Sequence, residues 1–463
     1  MYPLQEREKE GKDMRKAIRL AIVAAASVLS LALGQQVITL QAWTIGPEDA
    51  SRTRATNLVA AAEELNRALE AQGAAYRVRV ETSFETTSWD NYHRRLLLAF
   101  QSGQAPDIVQ TTHVDIGAYA EGGYIVPLDE YLRRYPSFAE VIPELWKAVT
   151  YRGKRYGVPQ DTEARPLYFN KTLLAKLGWS RTQIEGLPQA IREGRFTWED
   201  LIRVGQEAVQ KGVVRPGYAY WHRPVNGPDF YQFYYACGGV LQDPQSGKLV
   251  LEREALGCMY GLLARLVQTG VMTKSLLGTT WDNWHNAVSS GQVLFASAGT
   301  WTWAQWATQY YAKDHGGYDY LWRTFGFALQ PAVKPGGRPV TLSQPQAYLV
   351  TAASRNKDLA VRLLSVVTQP KYDAKHALGS AHLPILRTTY VLPEVRQDRF
   401  LQSVRYMLDY TTYQAMSPDW GVYADAVFRG ISAVESGQLA PEAAVELVAR
   451  DLTAKLGNKV DIR

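Results

Sequence analysis

Hydrophobic and polar positions change period repeatedly along the chain, and the changes predict alternating strands and helices. Val37–Trp43 reads V-I-T-L-Q-A-W, a β-branched run suited to a strand. In Arg52–Gln72, Leu58, Ala62, Leu65 and Leu69 recur at spacings of 4, 3 and 4, which places them on one helix face. Gly73 stops that helix. Tyr76–Glu81 alternates as Y-R-V-R-V-E, a strand with one wet face. Asp90–Ser102 reads as a helix closed by Gly103, and Asp107–Thr111 as a third strand. The order β-α-β-α-β predicts a parallel sheet covered by helices on both faces, an α/β fold. Such sheets bind ligands beyond the carboxyl ends of their strands. The residues after Trp43, Glu81 and Gln110 therefore form a candidate site.

The alternation continues. Leu167–Asn170, Val293–Ala296, Phe325–Pro331 and Ala347–Thr351 read as strands. Trp198–Gln210, Glu252–Thr269, Trp301–Lys313 and Asp358–Val367 read as helices. Pro441–Leu456 closes the chain as a helix, with Val445, Val448, Leu452 and Leu456 inward and Gly457 after it. A length of 463 residues suits two or three domains. There is no internal repeat and no Ser/Pro-rich linker, so two domains would have to share a chain that crosses between them more than once.

The first 34 residues have another pattern. A basic stretch, Met14–Arg19, precedes the apolar Leu20–Leu33, and Ala32-Leu33-Gly34 fits a small-x-small cleavage site. This predicts an N-terminal extension and a secretory signal peptide, its apolar run being short for a membrane span. No Cys follows the run, so a periplasmic or extracellular location without a lipid anchor is expected. Export makes a disulfide between Cys237 and Cys258 possible, with two buried thiols as the alternative.

The net charge of +6 is spread without a basic block, so nucleic acid is not an expected partner. The chain holds 13 Trp and 27 Tyr, an unusual supply of flat apolar faces with polar edges. It lacks G-x-G-x-x-G, a phosphate loop ending in G-K-[ST], H-E-x-x-H and G-x-S-x-G. The histidines are scattered without metal-ligand spacing, so neither a metal nor a cofactor is expected. Asp161 and Glu163, two apart in an extended segment, should point to the same side. Such a pair suits either acid–nucleophile work on a glycosidic bond or hydrogen bonding to sugar hydroxyls.

Five segments carry a resemblance. They are S-G-Q-A-P-D-I-V with Y-A-E-G-G-Y-I-V-P-L-D inside Leu96–Leu132, Y-G-V-P-Q-D-T-E-A-R-P-L-Y-F-N-K-T-L-L at Tyr156–Leu174, F-T-W-E-D-L at Phe196–Leu201, G-Q-V-L-F-A-S-A-G-T-W-T-W at Gly291–Trp303, and Tyr348–Leu364, where A-A-S-R-N-K-D-L-A precedes a helix. In this order they resemble the extracellular solute-binding proteins of ABC importers, in the carbohydrate-binding family that includes maltose-binding protein. The resemblance implies a two-lobe receptor that closes on its ligand and performs no chemistry. It implies a first α/β lobe of 36–162 plus 350–395 and a second of 163–345 plus 397–463. The implied partners are a carbohydrate, a di- or oligosaccharide, and the membrane permease subunits of an importer, with the receptor a monomer.

The same similarity implies site residues. Trp301 and Trp420 match sugar-stacking aromatics, Glu163 an acidic contact at the crossing, and Asn226 a polar contact. His113 and Asp115 lie in the loop after the third strand, where the family uses polar and charged residues. The aromatic that opens that loop is replaced by Thr111 and Thr112, so this subsite should differ. Trp43, Asp161, Arg165, Trp221 and Trp281 join the candidates on location and chemistry. Trp301 and Trp303 should diverge, with one facing the cleft, while Trp284 and Trp306 suit the core. Two alternatives stay open: a secreted glycoside hydrolase using Asp161 and Glu163, and a receptor for a sugar phosphate or polyol using Arg165 and Arg223.

Overall fold

A computed structural model describes residues 36–46, 49–86 and 88–463. The predicted extension and signal peptide, residues 1–34, lie outside them. Two sheets organise the chain. The first has the order Tyr76–Glu85, Gln36–Ile45, Ile108–Thr112, Gln346–Val350, Gly157–Asp161. Its first three strands are parallel, but Gln346–Val350 runs antiparallel to both neighbours. The expected all-parallel sheet is thus mixed. That strand does not arrive by a local crossover helix; it re-enters from the other sheet, so nothing forces it to run parallel.

Side-chain alternation divides this sheet between two cores. Leu40, Ala42, Ile108, Tyr348 and Val350 point to one face, where Thr53–Ala71 and Lys357–Val367 supply Leu58, Leu65, Leu363 and Leu364. Val109, Ala347 and Leu349 point to the other, against Tyr92, Leu96 and Phe100 of the helix Trp89–Gln101. Ser88 caps that helix by accepting from the Asn91 amide, and so starts it at Trp89.

The second sheet has the order Phe325–Ala328, Leu167–Asn170, Phe295–Ser297, Tyr220–Trp221. Around it lies a larger aromatic core that includes Trp198, Trp284, Trp303 and Trp306. Trp303 stacks on Phe400, with ring centroids 5.0 Å apart. The helices Trp420–Glu435 and Pro441–Leu456 close this core. A disulfide joins Cys237, which caps the helix Asp229–Ala236, to Cys258 in the helix Arg253–Gln268.

The chain passes between the sheets at 162–166 and again at 344–345. A third connection follows the helix Pro370–Ser380, where Leu383 forms a β-bridge with Thr162. A short parallel pairing of Thr341–Ser343 with Thr411–Tyr413 braces the second passage. Among the described residues, no helix is long and apolar enough to cross a membrane.

Candidate functional site

A cavity of about 370 Å³ opens where the chain changes sheets, lined from both sides. The first sheet and its helices contribute Trp89, Asp90, His93, Thr112 and Asp115. The second side contributes Arg165, Arg223, Asn226, Trp301, Trp420 and Asp425, with Glu163, Gln344 and Gln414 from the connecting segments. Of the residues expected from sequence, the structure brings together Thr112, Asp115, Glu163, Arg165, Asn226, Trp301 and Trp420.

Asp115 accepts from Thr112 Oγ1 at 2.9 Å, from Thr111 Oγ1, and pairs with His93 Nε2 at 3.1 Å. Burial pushes the Asp115 carboxyl up, but the His93 charge and these hydrogen bonds outweigh it and hold the group below its ordinary value. His93 is raised in turn, the Asp115 charge overcoming burial. Thr111 and Thr112 thus help fix a carboxylate at the end of the third strand.

On the other wall, Asp229 accepts two bonds from Arg165 Nη1, at 2.9 and 3.0 Å, and one from Arg223 Nη1 at 3.1 Å. Arg165 also donates to Glu163 Oε1. Burial pushes the Glu163 carboxyl up to about 7, against the lowering effect of Arg165. Both guanidiniums lie over the Trp301 ring, at 4.8 and 5.3 Å, and His382 stacks parallel to it at 5.8 Å. Gly299 makes this placement possible: a Cβ there would fall 1.6 Å from a Trp301 ring carbon. Trp301 is therefore 6% exposed and clamped, rather than an open platform.

Five expected residues lie elsewhere. Trp43 packs at the first lobe's core with the Arg95 guanidinium 3.7 Å over its ring. His113 is buried and donates from Nε2 to Gln414 O; burial takes its pKa down to about 4. Trp221 is buried in the second lobe, its Nε1 donating to Gly217 O at 2.7 Å. Trp281 stacks on Trp284 at 5.8 Å, outside the cavity wall. Asp161 is turned inward, receiving Arg54 Nη2 at 2.8 Å and His376 Nε2 at 2.8 Å.

Asp161 and Glu163 consequently do not face one pocket. The strand ends at Asp161, the backbone then leaves the sheet, and the two-residue periodicity stops applying. Asp161, His376 and His382 also place metal-ligand atoms within 4.8 Å of one another. The residues fit a metal poorly. Arg54 donates to Asp161 from both Nε and Nη2, so a guanidinium already supplies the positive charge. Burial raises the Asp161 carboxyl, yet Arg54 and the histidines hold it well below the usual carboxylate range.

Sequence reasoning missed Trp89, Asp90 and His93, which share the first turns of one helix. The signal was present in the 1, 2, 5 spacing of residues following a capping serine. His382, Gln344, Gln346 and Gln414 gave no local signal, since only the crossings bring them to the cavity.

A family model for bacterial extracellular solute-binding proteins matches residues 56–374, most of the chain and both sides of the cavity. The chain belongs to that family. A maltotriose-binding protein of Pyrococcus abyssi is 22% identical over 340 residues, covering 73% of this solute-binding protein and 66%, just under two thirds, of its own length. Among solved structures, the GacH receptor of Streptomyces glaucescens, studied unliganded and with acarbose, superimposes with a TM-score of 0.71 at 19% identity, covering 90% of this chain and 98% of its own. A solute-binding protein from Thermotoga lettingae, bound with α-D-tagatose, gives 0.70 at 20% identity over 90% and 100% of the two chains. These likenesses establish the two-lobe fold.

Proposed function

We propose that this solute-binding protein is the receptor of an ABC-type importer and captures a sugar, a di- or oligosaccharide, between its lobes, releasing it unaltered to a membrane permease. The observation that carries the reading is one cavity in which indole rings and directional polar groups from both lobes converge. A pyranose has apolar C–H faces and a rim of hydroxyls. Aromatic rings cover the faces, and carboxylates, amides and guanidiniums bind the rim. Contacts divided between two bodies make a ligand favour the closed arrangement, because only there are both halves satisfied.

The bodies that close would be 36–162 plus 350–395 and 163–345 plus 397–463, with the receptor exported and acting as a monomer. The absence of chemistry follows the same reading. Glu163 reaches the cavity without Asp161, so the particular pair of Asp161 and Glu163 is not available there for acid–nucleophile work. The named sugars of the relatives support a carbohydrate as the ligand class.

The test is a thermal-shift and calorimetry screen over glucose, maltose, cellobiose, maltotriose, arabinose oligomers, a polyol and a sugar phosphate. Saturable binding of a di- or trisaccharide with a concentration-dependent rise in melting temperature is expected. Hydrolysis of the sugar, or binding confined to the phosphate or the polyol, would overturn the reading.

A further inference from the structure

The indoles at or near the cavity differ in what already covers their rings. Trp43 lies under Arg95, and Trp281 is stacked on Trp284 with Arg223 4.6 Å over it. Trp301 is enclosed by Arg165, Arg223, His382 and Gly299. Trp420 is 7% exposed, stacked on Tyr423 at 5.4 Å and tilted against Tyr231 at 5.0 Å. Trp89 is the exception. It is half-buried, packs in part against the core that holds Tyr92, and lines the cavity, and its ring–ring contacts are an edge-on approach to Tyr92 (88° between planes) and a 49° tilt to His93. Among the described residues, no ring lies parallel to it and no Arg or Lys lies over it.

We propose that Trp89 is the stacking platform of the ligand site. It holds one sugar ring against the first lobe. The inference rests on the carbohydrate reading above. Two features of the local geometry support it. Trp89 is the first residue of a 13-residue helix that is capped by Ser88 and anchored in the core through Tyr92, Leu96 and Phe100, so the indole is held on a rigid base. The same helix end brings Asp90 and His93 to the cavity, the latter tied to Asp115 at 3.1 Å, so polar groups stand beside the indole where the hydroxyl rim of a stacked pyranose would lie. A flat apolar face with hydrogen-bonding groups at its margin is what a sugar ring requires and what a core tryptophan does not need.

The test compares the wild-type protein with Trp89→Phe, Trp89→Leu and, as a control on the exposed side of the same helix, Leu98→Ala, which is 67% exposed. Each is titrated calorimetrically with maltose, maltotriose and cellobiose, and with any other sugar from the screen that the wild type binds. Trp89→Leu should weaken binding by about tenfold or more, Trp89→Phe by less, and Leu98→Ala not at all, with melting temperatures of the unliganded variants unchanged. Leucine keeps apolar volume and loses the π face, so the order Phe above Leu separates stacking from packing. Unchanged affinity in Trp89→Leu, or equal losses in both variants, would overturn the assignment while leaving the receptor reading intact. A wild type that binds no sugar would overturn both.

Discussion

Replacing Asp229 by Asn isolates the charge balance of the cavity wall. Asp229 is 1% exposed and is the shared acceptor of Arg165, 1% exposed, and Arg223, 14% exposed. Asparagine preserves shape and removes one negative charge, leaving two guanidiniums largely out of water. Loss of one partner in a buried pair typically costs about 3–5 kcal/mol. The size of the loss should depend on pH through Glu163. Its folded pKa, pushed up to about 7 by burial, lies above the ordinary value. Protonated Glu163 therefore stabilises the fold at low pH, and this contribution is lost as pH rises through about 7. Between pH 5 and pH 8 the wild type loses on the order of 2 kcal/mol from this residue. In Asp229→Asn, Glu163 becomes the nearest remaining carboxylate for both guanidiniums, is drawn down towards its ordinary value, and loses less. The expected destabilisation is thus about 3–5 kcal/mol at pH 5 and smaller, by on the order of 2 kcal/mol, at pH 8. Urea unfolding followed by circular dichroism at the two pH values measures it. In a Glu163→Gln background the pH difference should vanish. Equal destabilisation at both pH values, or a larger one at pH 8, would refute the coupling.

Three further predictions concern the same lobe. Cys237→Ser with Cys258→Ser opens a loop of sequence separation 21, and the chain-entropy argument predicts a loss of about 3 kcal/mol, read as a lower urea midpoint without a change in ligand affinity. Gly299→Ala should expel the Trp301 ring and weaken sugar binding at least as much as Trp301→Ala, whereas Trp221→Phe should cost about 1 kcal/mol of stability for its lost bond to Gly217 and leave affinity unchanged; calorimetry with paired thermal melts distinguishes the two.

Local pattern made much of this protein legible. The helix Thr53–Ala71 follows from Leu58, Ala62, Leu65 and Leu69, the helix Pro441–Leu456 from its proline start and glycine stop, and the strand Leu167–Asn170 from its apolar run. The divergence of Trp301 and Trp303, one to the cavity and one to the core, follows from helical spacing alone. Other elements escaped. Arg181–Arg192 carries Gly186 and Pro188 within one helix, which weakens the pattern that its capping box at Ser180 and its buried Ile184, Leu187 and Ile191 restore in three dimensions. The segment expected as one helix from Trp301 to Lys313 breaks into Thr302–Thr308 and a short turn at Tyr311–His315.

By itself the sequence determined the periods, the caps and the family motifs, because these depend on neighbours within a few residues. Only the tertiary structure decided which polar groups meet. Asp161 and Glu163 are two residues apart, yet Arg54 draws one inward while Arg165 holds the other at the cavity. His382 reaches Trp301 from a segment 81 positions away, and Gly299 allows the contact by having no side chain. Burial sets the charge of such groups, and burial is a property of the packed chain, since the low-dielectric surroundings that shift a carboxyl or free an indole face come from residues distant in sequence.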